Sequence, residues 1–145
     1  MFEGKSLAEI IAELELEPLE GEGGYFKVIQ RDDFGNAIYF LMSESDFSAW
    51  HILKERETWV HLAGDPVLLH LKNDSYRKVD LSRKPMELTY SIEPNTWMAA
   101  KTTGQWSLVL CFLAPAFTAM ELATPELVRS WREKDPTIPE LIHER

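Results

Sequence analysis

The sequence has little cysteine, no long apolar run and no cluster of basic residues, and each shortage excludes a class of protein. Cys111 is the only cysteine among 145 residues, so no disulfide can form within the chain. A single cysteine is typical of a reducing compartment, and we therefore expect a cytoplasmic protein. No apolar stretch reaches the ~20 residues of a membrane-spanning helix. The amino-terminal MFEGKSLAEI also lacks the pattern of a signal peptide.

The deficit of positive charge restricts the partners that we expect. The chain has 15 Lys and Arg residues against 24 Asp and Glu residues, which gives a formal net charge of −9. The basic residues are scattered among acids, whereas binding to nucleic acid or to an anionic membrane needs clustered Lys and Arg. We therefore expect neither nucleic acid nor a membrane as a partner. A small molecule or another protein is left.

Hydrophobic periodicity predicts a helix followed by a long β-region. Ser6 and Glu9 have the spacing of a capping box, and apolar residues at helical spacing follow them. From residue 24 to about residue 113, short runs rich in β-branched and aromatic residues alternate with turn residues. We interpret nine runs as strands: GYFKVIQ, AIYFLM, FSAWHIL, ETWVHLA, VLLHLK, SYRKVD, ELTYSI, TWMAAK and WSLVLCFL. Such closely spaced short strands favour an antiparallel sandwich or barrel.

The carboxyl-terminal part returns to helical signals. Thr124 followed by Pro125 predicts a helix over PELVRSWREK, and the spacing of Thr137 and Glu140 predicts a short last helix over PELIHER. The chain has no internal repeat or low-complexity segment. Its length suits one domain, so we expect residues 1–145 to form a single domain.

Two neighbouring strands carry the polar residues with the greatest chemical interest. Because strand side chains alternate, His51 and Leu53 share one face, and Glu57, Trp59 and His61 share one face of the next strand. If the charged KER stretch is a hairpin loop in solvent, Trp59 lies opposite His51, and both Glu57 and His61 are its diagonal neighbours. These faces are too apolar to be exposed. We therefore expect the imidazole and the carboxyl to meet in the interior.

In this region the sequence resembles the cupins. Their first motif has two histidines separated by one residue, then a glutamate, six residues and a glycine. His51 fits the first histidine position, Glu57 the glutamate and Gly64 the glycine, whereas Leu53 occupies the second histidine position. The histidine or glutamine of the second motif falls at Met98.

A small single-domain cupin branch of unknown function gives a closer resemblance over about residues 14–121. Four of its segments occur here in order and at matching spacing. They are Gly23-Gly24-Tyr25-Phe26, Trp59 with Ala63-Gly64-Asp65-Pro66, Thr96-Trp97 with Ala99-Ala100, and Ala114-Pro115-Ala116-Phe117. The resemblance implies a mainly β fold, a double-stranded β-helix or jelly-roll barrel with an N-terminal helix and C-terminal helices. It also implies a homodimer.

The main functional hypothesis is the binding of a small molecule, such as a sugar or an organic acid, inside the barrel. The ligand would lie near the catalytic candidates His51 and Glu57. The further ligand-binding candidates are Trp59, His61, Met98, Tyr39 and Leu53. Whether the chain is an enzyme is left open at this point.

Two alternatives involve chemistry. In a metal-independent epimerase or isomerase, Glu57 would orient His51 as the base, and Tyr25, Tyr39 or Tyr90 would be the acid. In a metal-dependent cupin enzyme with a non-standard site, a divalent metal would be held by His51, Glu57 and His61.

Other polar residues are interpreted as structural. His70 and Cys111 lie in very apolar strands, which predicts a structural histidine and an inert core thiol. His143, near the end of the chain, is expected to be exposed. The acids of the amino-terminal segment are expected to form a solvated face and loop; they are Glu13, Glu15, Glu17, Glu20 and Glu22.

Overall fold

The computed structural model describes residues 2–84 and 86–143, which form eleven strands and two helices. The helices are α1 (Leu7–Glu13) and α2 (Pro125–Lys134). The strands are β1 (Glu17–Pro18), β2 (Tyr25–Arg31), β3 (Asn36–Ser43), β4 (Ser48–Leu53), β5 (Arg56–Gly64), β6 (Val67–Lys72), β7 (Tyr76–Leu81), β8 (Thr89–Ile92), β9 (Trp97–Thr102), β10 (Trp106–Ala114) and β11 (Met120–Leu122). All nine strands predicted from the sequence are confirmed, and β1 and β11 are short additions.

The strands form two antiparallel sheets. A six-stranded sheet has the order β1-β2-β3-β10-β5-β8, and a five-stranded sheet has the order β11-β4-β9-β6-β7. The two sheets enclose a core, and strand β5 shows this in its burial, which alternates residue by residue. Glu57, Trp59 and His61 are buried on the inner face, with more exposed residues between them, whereas Ala63, beyond a register shift, packs in the cluster under α1. The mainly β, jelly-roll fold that we predicted is therefore confirmed.

Three apolar layers hold the fold together. The central layer lies between the sheets and includes Phe40, Trp59 and Met98. Helix α1 covers the outer face of the six-stranded sheet through Ile10. The helix begins after Ser6, whose hydroxyl accepts a hydrogen bond from the Glu9 amide.

Helix α2 covers the outer face of the other sheet. Its Val128 packs in one cluster with Trp50 and Ala99, and Thr124 caps the helix by accepting a hydrogen bond from the Leu127 amide. Among the described residues, no helix has both the length and the apolar character that a membrane span requires.

The predicted hairpin between β4 and β5 is wrong. Strand β4 pairs with β9 and β11, whereas β5 pairs with β10 and β8. Arg56 already belongs to β5, so only Lys54 and Glu55 connect the strands, and they carry the chain from one sheet to the other. His51 is consequently paired with Met98 and Leu122 rather than with Trp59.

The last helix that we predicted is not formed over its described residues, 139–143. Thr137 donates its hydroxyl and its amide to Asp135 Oδ1 instead of capping a new helix. The following segment runs beside β4, where the Trp50 amide donates to Leu141 O at 3.0 Å and the Trp50 indole donates to Pro139 O at 2.9 Å. These bonds favour an extended chain over a helical turn. Glu144 and Arg145, at the end of PELIHER, lie outside the described residues.

Candidate functional site

A cavity of about 150 Å³ lies between the sheets, near the end of the barrel where β4 crosses to β5. Most of its wall is apolar, and three buried ionisable side chains interrupt that wall together with the buried amide of Asn36: Glu22, His51 and Glu57. Its lining residues are Leu19, Glu22, Phe26, Val28, Arg31, Asn36, Ile38, His51, Leu53, Glu57, Leu113, Phe117 and Met120. A buried polar group is costly unless it is hydrogen-bonded, so each of the three needs an account.

Strand β4 places His51 in the wall of the cavity, with only 2% of its surface exposed. Its Nδ1 lies 2.7 Å from Ala49 O. A carbonyl oxygen can only accept, so Nδ1 carries the proton and donates it to this bond. In the neutral ring Nε2 then holds a lone pair. Nε2 lies 3.7 Å from Glu22 Oε1, which is longer than a hydrogen bond.

Strand β5 places Glu57 in the same cavity. The Trp59 indole donates a hydrogen bond to Glu57 Oε1 at 2.8 Å. The pKa of the Glu57 carboxyl is raised to about 7, chiefly by burial and also by the nearby charge of Glu22, while His51 and the Trp59 hydrogen bond act in the opposite direction. Glu57 can therefore hold or release a proton near neutral pH. The expectation that Glu57 orients His51 differs from the structure, in which Ala49 O bonds to the ring.

Glu22 is a residue of the candidate site that was not predicted from the sequence. We expected it in a solvated loop, but the residue is only 9% exposed. Its Oε2 accepts a hydrogen bond from the Ser48 hydroxyl at 2.7 Å, and its backbone oxygen accepts one from the Ala49 amide at 2.8 Å. Glu22 is buried because its loop is tight: the next residue, Gly23, has a φ of +96° and lies against the Phe47 backbone. The glycine pair after Glu22 was the available signal.

The other predicted ligand-binding residues are divided between the cavity and its surroundings. Leu53 lines the cavity, and Trp59 lies behind Glu57 as its hydrogen-bond donor. Met98 is buried in the central core beside His51 on the neighbouring strand, and it is not among the lining residues. Tyr39 is on the outer face of the six-stranded sheet, packed in the cluster under α1, because β3 directs its neighbours Ile38 and Phe40 inward.

The structure does not bring the predicted metal ligands together. His61 faces the interior, but its Nε2 bonds to Asp65 O at 2.9 Å, and it does not line the cavity of His51 and Glu57. Over residues 2–84 and 86–143, no group of three or more His, Cys, Asp or Glu side chains is arranged to hold a metal ion. The cavity of His51 and Glu57 therefore lacks His61, the second histidine of the predicted ligand set. Metal dependence stays a prediction.

A short segment after β10 contributes Phe117 to the wall of the cavity. Arg31 Nη2 donates to Phe117 O at 2.7 Å, and Asn36 Oδ1 accepts from the Phe117 amide at 2.6 Å. The next residue, Thr118, donates its hydroxyl to Glu55 Oε2 at 2.8 Å. Glu55 is only 6% exposed, so the expectation that this whole charged tip lies in solvent is wrong at this residue.

The remaining polar residues lie where packing explains them. His70 is buried under α2 with Nδ1 2.7 Å from the Tyr76 hydroxyl, as a structural histidine would be. Cys111 lies in the central core, where burial and the charges of Glu57 and Glu22 raise the pKa of its thiol well above its usual range. His143 is only partly exposed, because it stacks on Phe47 with ring centroids 4.0 Å apart.

The geometry is that of a jelly roll whose apolar interior holds a few polar side chains, and a comparison with protein families agrees. The model of the family described as Cupin superfamily (DUF985) matches residues 8–124. The chain belongs to the cupin superfamily. Its departures from the usual cupin motif, Leu53 and Met98, occupy the cavity wall and the core beside His51.

Solved structures give the same fold for this cupin. A hypothetical protein from Leishmania major is similar with 24% identity and a TM-score of 0.85, covering 97% of this chain and 100% of that chain. A protein from Shewanella oneidensis has 20% identity and a TM-score of 0.87, with 97% and 99% covered. A cupin 2 conserved barrel domain protein from Rhodopseudomonas palustris has 17% identity and a TM-score of 0.69, with 89% and 90% covered. A comparison with curated proteins found no match.

Proposed function

We propose that this cupin binds a small polar organic molecule inside its barrel. The observation that carries the proposal is the set of three buried ionisable side chains, Glu22, His51 and Glu57, in the wall of one cavity of about 150 Å³. An apolar cavity with a few convergent polar groups is the usual form of a small-molecule site. A cavity of this size can hold a molecule about as large as benzene.

Of the two ligand classes predicted from the sequence, a sugar-like polyol fits the cavity better than an organic acid. Hydroxyl groups can donate hydrogen bonds to Glu22 and Glu57. A carboxylate in the same place would meet acceptors and negative charge, and burying it there without a donor is unfavourable. The proposal therefore favours hydrogen-bond donors on the buried end of the ligand.

The binding proposal is tested by filling the cavity. Ile38 lines the cavity, and Tyr39, the next residue on the same strand, packs on the outer face of the sheet. A thermal-shift screen of small alcohols, amines and acids should identify binders of the wild type. We expect Ile38→Trp to abolish their stabilising effect and Tyr39→Trp to retain it. Binding that survives Ile38→Trp unchanged would place the ligand elsewhere.

A second candidate function is metal-independent proton transfer, as in an epimerase or isomerase. It is favoured by the lone pair on His51 Nε2 and by the Glu57 carboxyl, whose pKa of about 7 lets it act as an acid. In such a reaction His51 takes the proton from a carbon next to a carbonyl, and the C–H electron pair forms a C=C bond. The proton of Glu57 is transferred to the carbonyl oxygen, which gives an enol.

Deuterium exchange separates this candidate from binding alone. A carbonyl ligand from the screen would be incubated with the protein in D2O and followed by NMR. An enzyme should introduce deuterium next to the carbonyl, and His51→Ala should abolish that exchange. A ligand recovered without deuterium would leave binding as the function. The homodimer and the cytoplasmic location stay predictions, and sedimentation analysis tests the former.

A further inference from the structure

Three hydrogen-bond acceptors open into the cavity without a donor. Glu22 uses Oε2 for Ser48, Glu57 uses Oε1 for Trp59, and His51 uses Nδ1 for a carbonyl oxygen. In the part of the chain that the structure describes, Glu22 Oε1, Glu57 Oε2 and the lone pair of His51 Nε2 have no hydrogen bond. Because these residues line the cavity, a molecule that fills the cavity should supply the donors.

Positive charge is scarce around these acceptors. Arg31 is the only Lys or Arg among the lining residues; it is exposed, and its Nη2 donates to Phe117 O. Phe26 and Phe117 contribute aromatic rings to the wall. Carboxyl groups and aromatic rings are the groups with which proteins bind ammonium ions, since the first accept charge-assisted hydrogen bonds and the second attract a cation by their faces.

We infer that the ligand is a small organic cation whose ammonium group binds between Glu22 and Glu57 and whose alkyl part fills the apolar remainder of the cavity. This inference rests on the proposed binding function and specifies its ligand class. An ammonium group has three donors and no acceptor, which matches three open acceptors. A carboxylate of the same size has only acceptors and repels the negative charge of Glu22.

The inference predicts a pH dependence with a defined direction. The titratable groups that face Glu57 are Glu22, His51 and Cys111, which come from the loop before β2, from β4 and from β10. As the pH rises through about 7, Glu57 loses its proton and the cavity gains a negative charge. The affinity for an ammonium ion should therefore rise from pH 6 to pH 8, while the affinity for a neutral alcohol should not.

The test compares n-butylammonium, 1-butanol and butyrate, three probes of similar size, by calorimetric titration of the full chain. At pH 8 we expect n-butylammonium to bind roughly tenfold or more tightly than butyrate, with 1-butanol between them. Glu22→Gln and Glu57→Gln should each reduce this preference. Glu121→Gln, on an exposed residue of β11, is the matched control and should leave it unchanged.

Each outcome decides something. If butyrate binds as tightly as n-butylammonium, or more tightly, the inference is overturned while the binding function stands. If no probe binds to the wild type, or if Ile38→Trp abolishes the binding of none of them, the proposed binding function is wrong and the inference is wrong with it. If a glutamine variant does not fold, the pH series on the wild type decides, because a flat n-butylammonium affinity between pH 6 and pH 8 contradicts the inference.

Discussion

His51 and Glu57 line one cavity from different sheets of the barrel. The chain crosses between the sheets at Lys54 and Glu55, so two residues close in sequence reach the interior from two walls. The proposed ligand would therefore be contacted from both sides. Glu22, on the loop before β2, adds a third contact and brings a carboxyl within 3.7 Å of the imidazole.

Replacing Glu57 by Gln should change how stability depends on pH. The folded-state pKa of about 7 is above the ordinary 4.5, so the folded protein binds more protons than the unfolded chain between these values. The stability that the protonated carboxyl provides is therefore lost as the pH rises towards 7. We expect the wild type to lose about 2.5 kcal/mol relative to Glu57→Gln between pH 5 and pH 8.

Urea unfolding at several pH values measures this difference. The Trp59 indole can donate to the glutamine carbonyl, so the variant retains that hydrogen bond. Glu121→Gln serves as the control for removing an exposed carboxyl. Parallel stability profiles for the wild type and Glu57→Gln would show that Glu57 titrates normally.

Gly23→Ala should destabilise the protein and displace Glu22. A Cβ at Gly23 would collide with the Phe47 backbone and with His143, and the φ of +96° is unfavourable for any side chain. Gly4 is the matched control, because it also has a positive φ, of +73°, but open space around it. We expect Gly4→Ala to cost about 1 kcal/mol of unfolding free energy and Gly23→Ala clearly more. Equal costs would mean that the loop around Glu22 can relax.

Thr118→Val should destabilise the segment of Phe117 and Thr118, which borders the cavity. The change removes the hydroxyl that donates to Glu55 Oε2, and Glu55 Oε1 is already buried without a partner among the described residues. Leaving the buried carboxyl without its donor should cost about 1–3 kcal/mol in chemical denaturation. Thr103→Val, which removes an exposed hydroxyl bonded to Pro66 O, should cost less. The reverse order would contradict this role for Thr118.

His70→Phe should make the protein less sensitive to acid. Burial, with the charge of Lys78 adding to it, lowers the pKa of His70 to about 4 from 6.5, so the unfolded chain binds more protons between these values. The wild type therefore loses stability as the pH falls through this range. We expect the stability difference between the wild type and His70→Phe to shrink on acidification. Tyr76→Phe, which keeps the histidine, should retain the acid sensitivity of the wild type.

The sequence predicted the strands well because alternation and turn residues are local signals. In β5 the pattern of Glu57, Trp59 and His61 determined which side chains face inward, and all three are buried. The burial of His51 followed from the same reasoning. These predictions needed no knowledge of which strands are neighbours.

Features that depend on long-range pairing were not predictable in the same way. A hairpin between β4 and β5 and a crossover between sheets have the same local pattern, and the partner Met98 of His51 is far along the chain. Glu22 was missed because its burial depends on contacts with Ser48 and Ala49. The last helix was wrong because hydrogen bonds with Trp50 hold that segment extended.

Carbon-13 NMR of the glutamate carboxyl groups measures whether Glu57 holds a proton in a ligand cavity. We expect one resonance that titrates with a pKa of about 7, is missing in Glu57→Gln and shifts when n-butylammonium is added. If every glutamate titrates near the ordinary value of 4.5, the carboxyl of Glu57 is in water and does not face a ligand cavity.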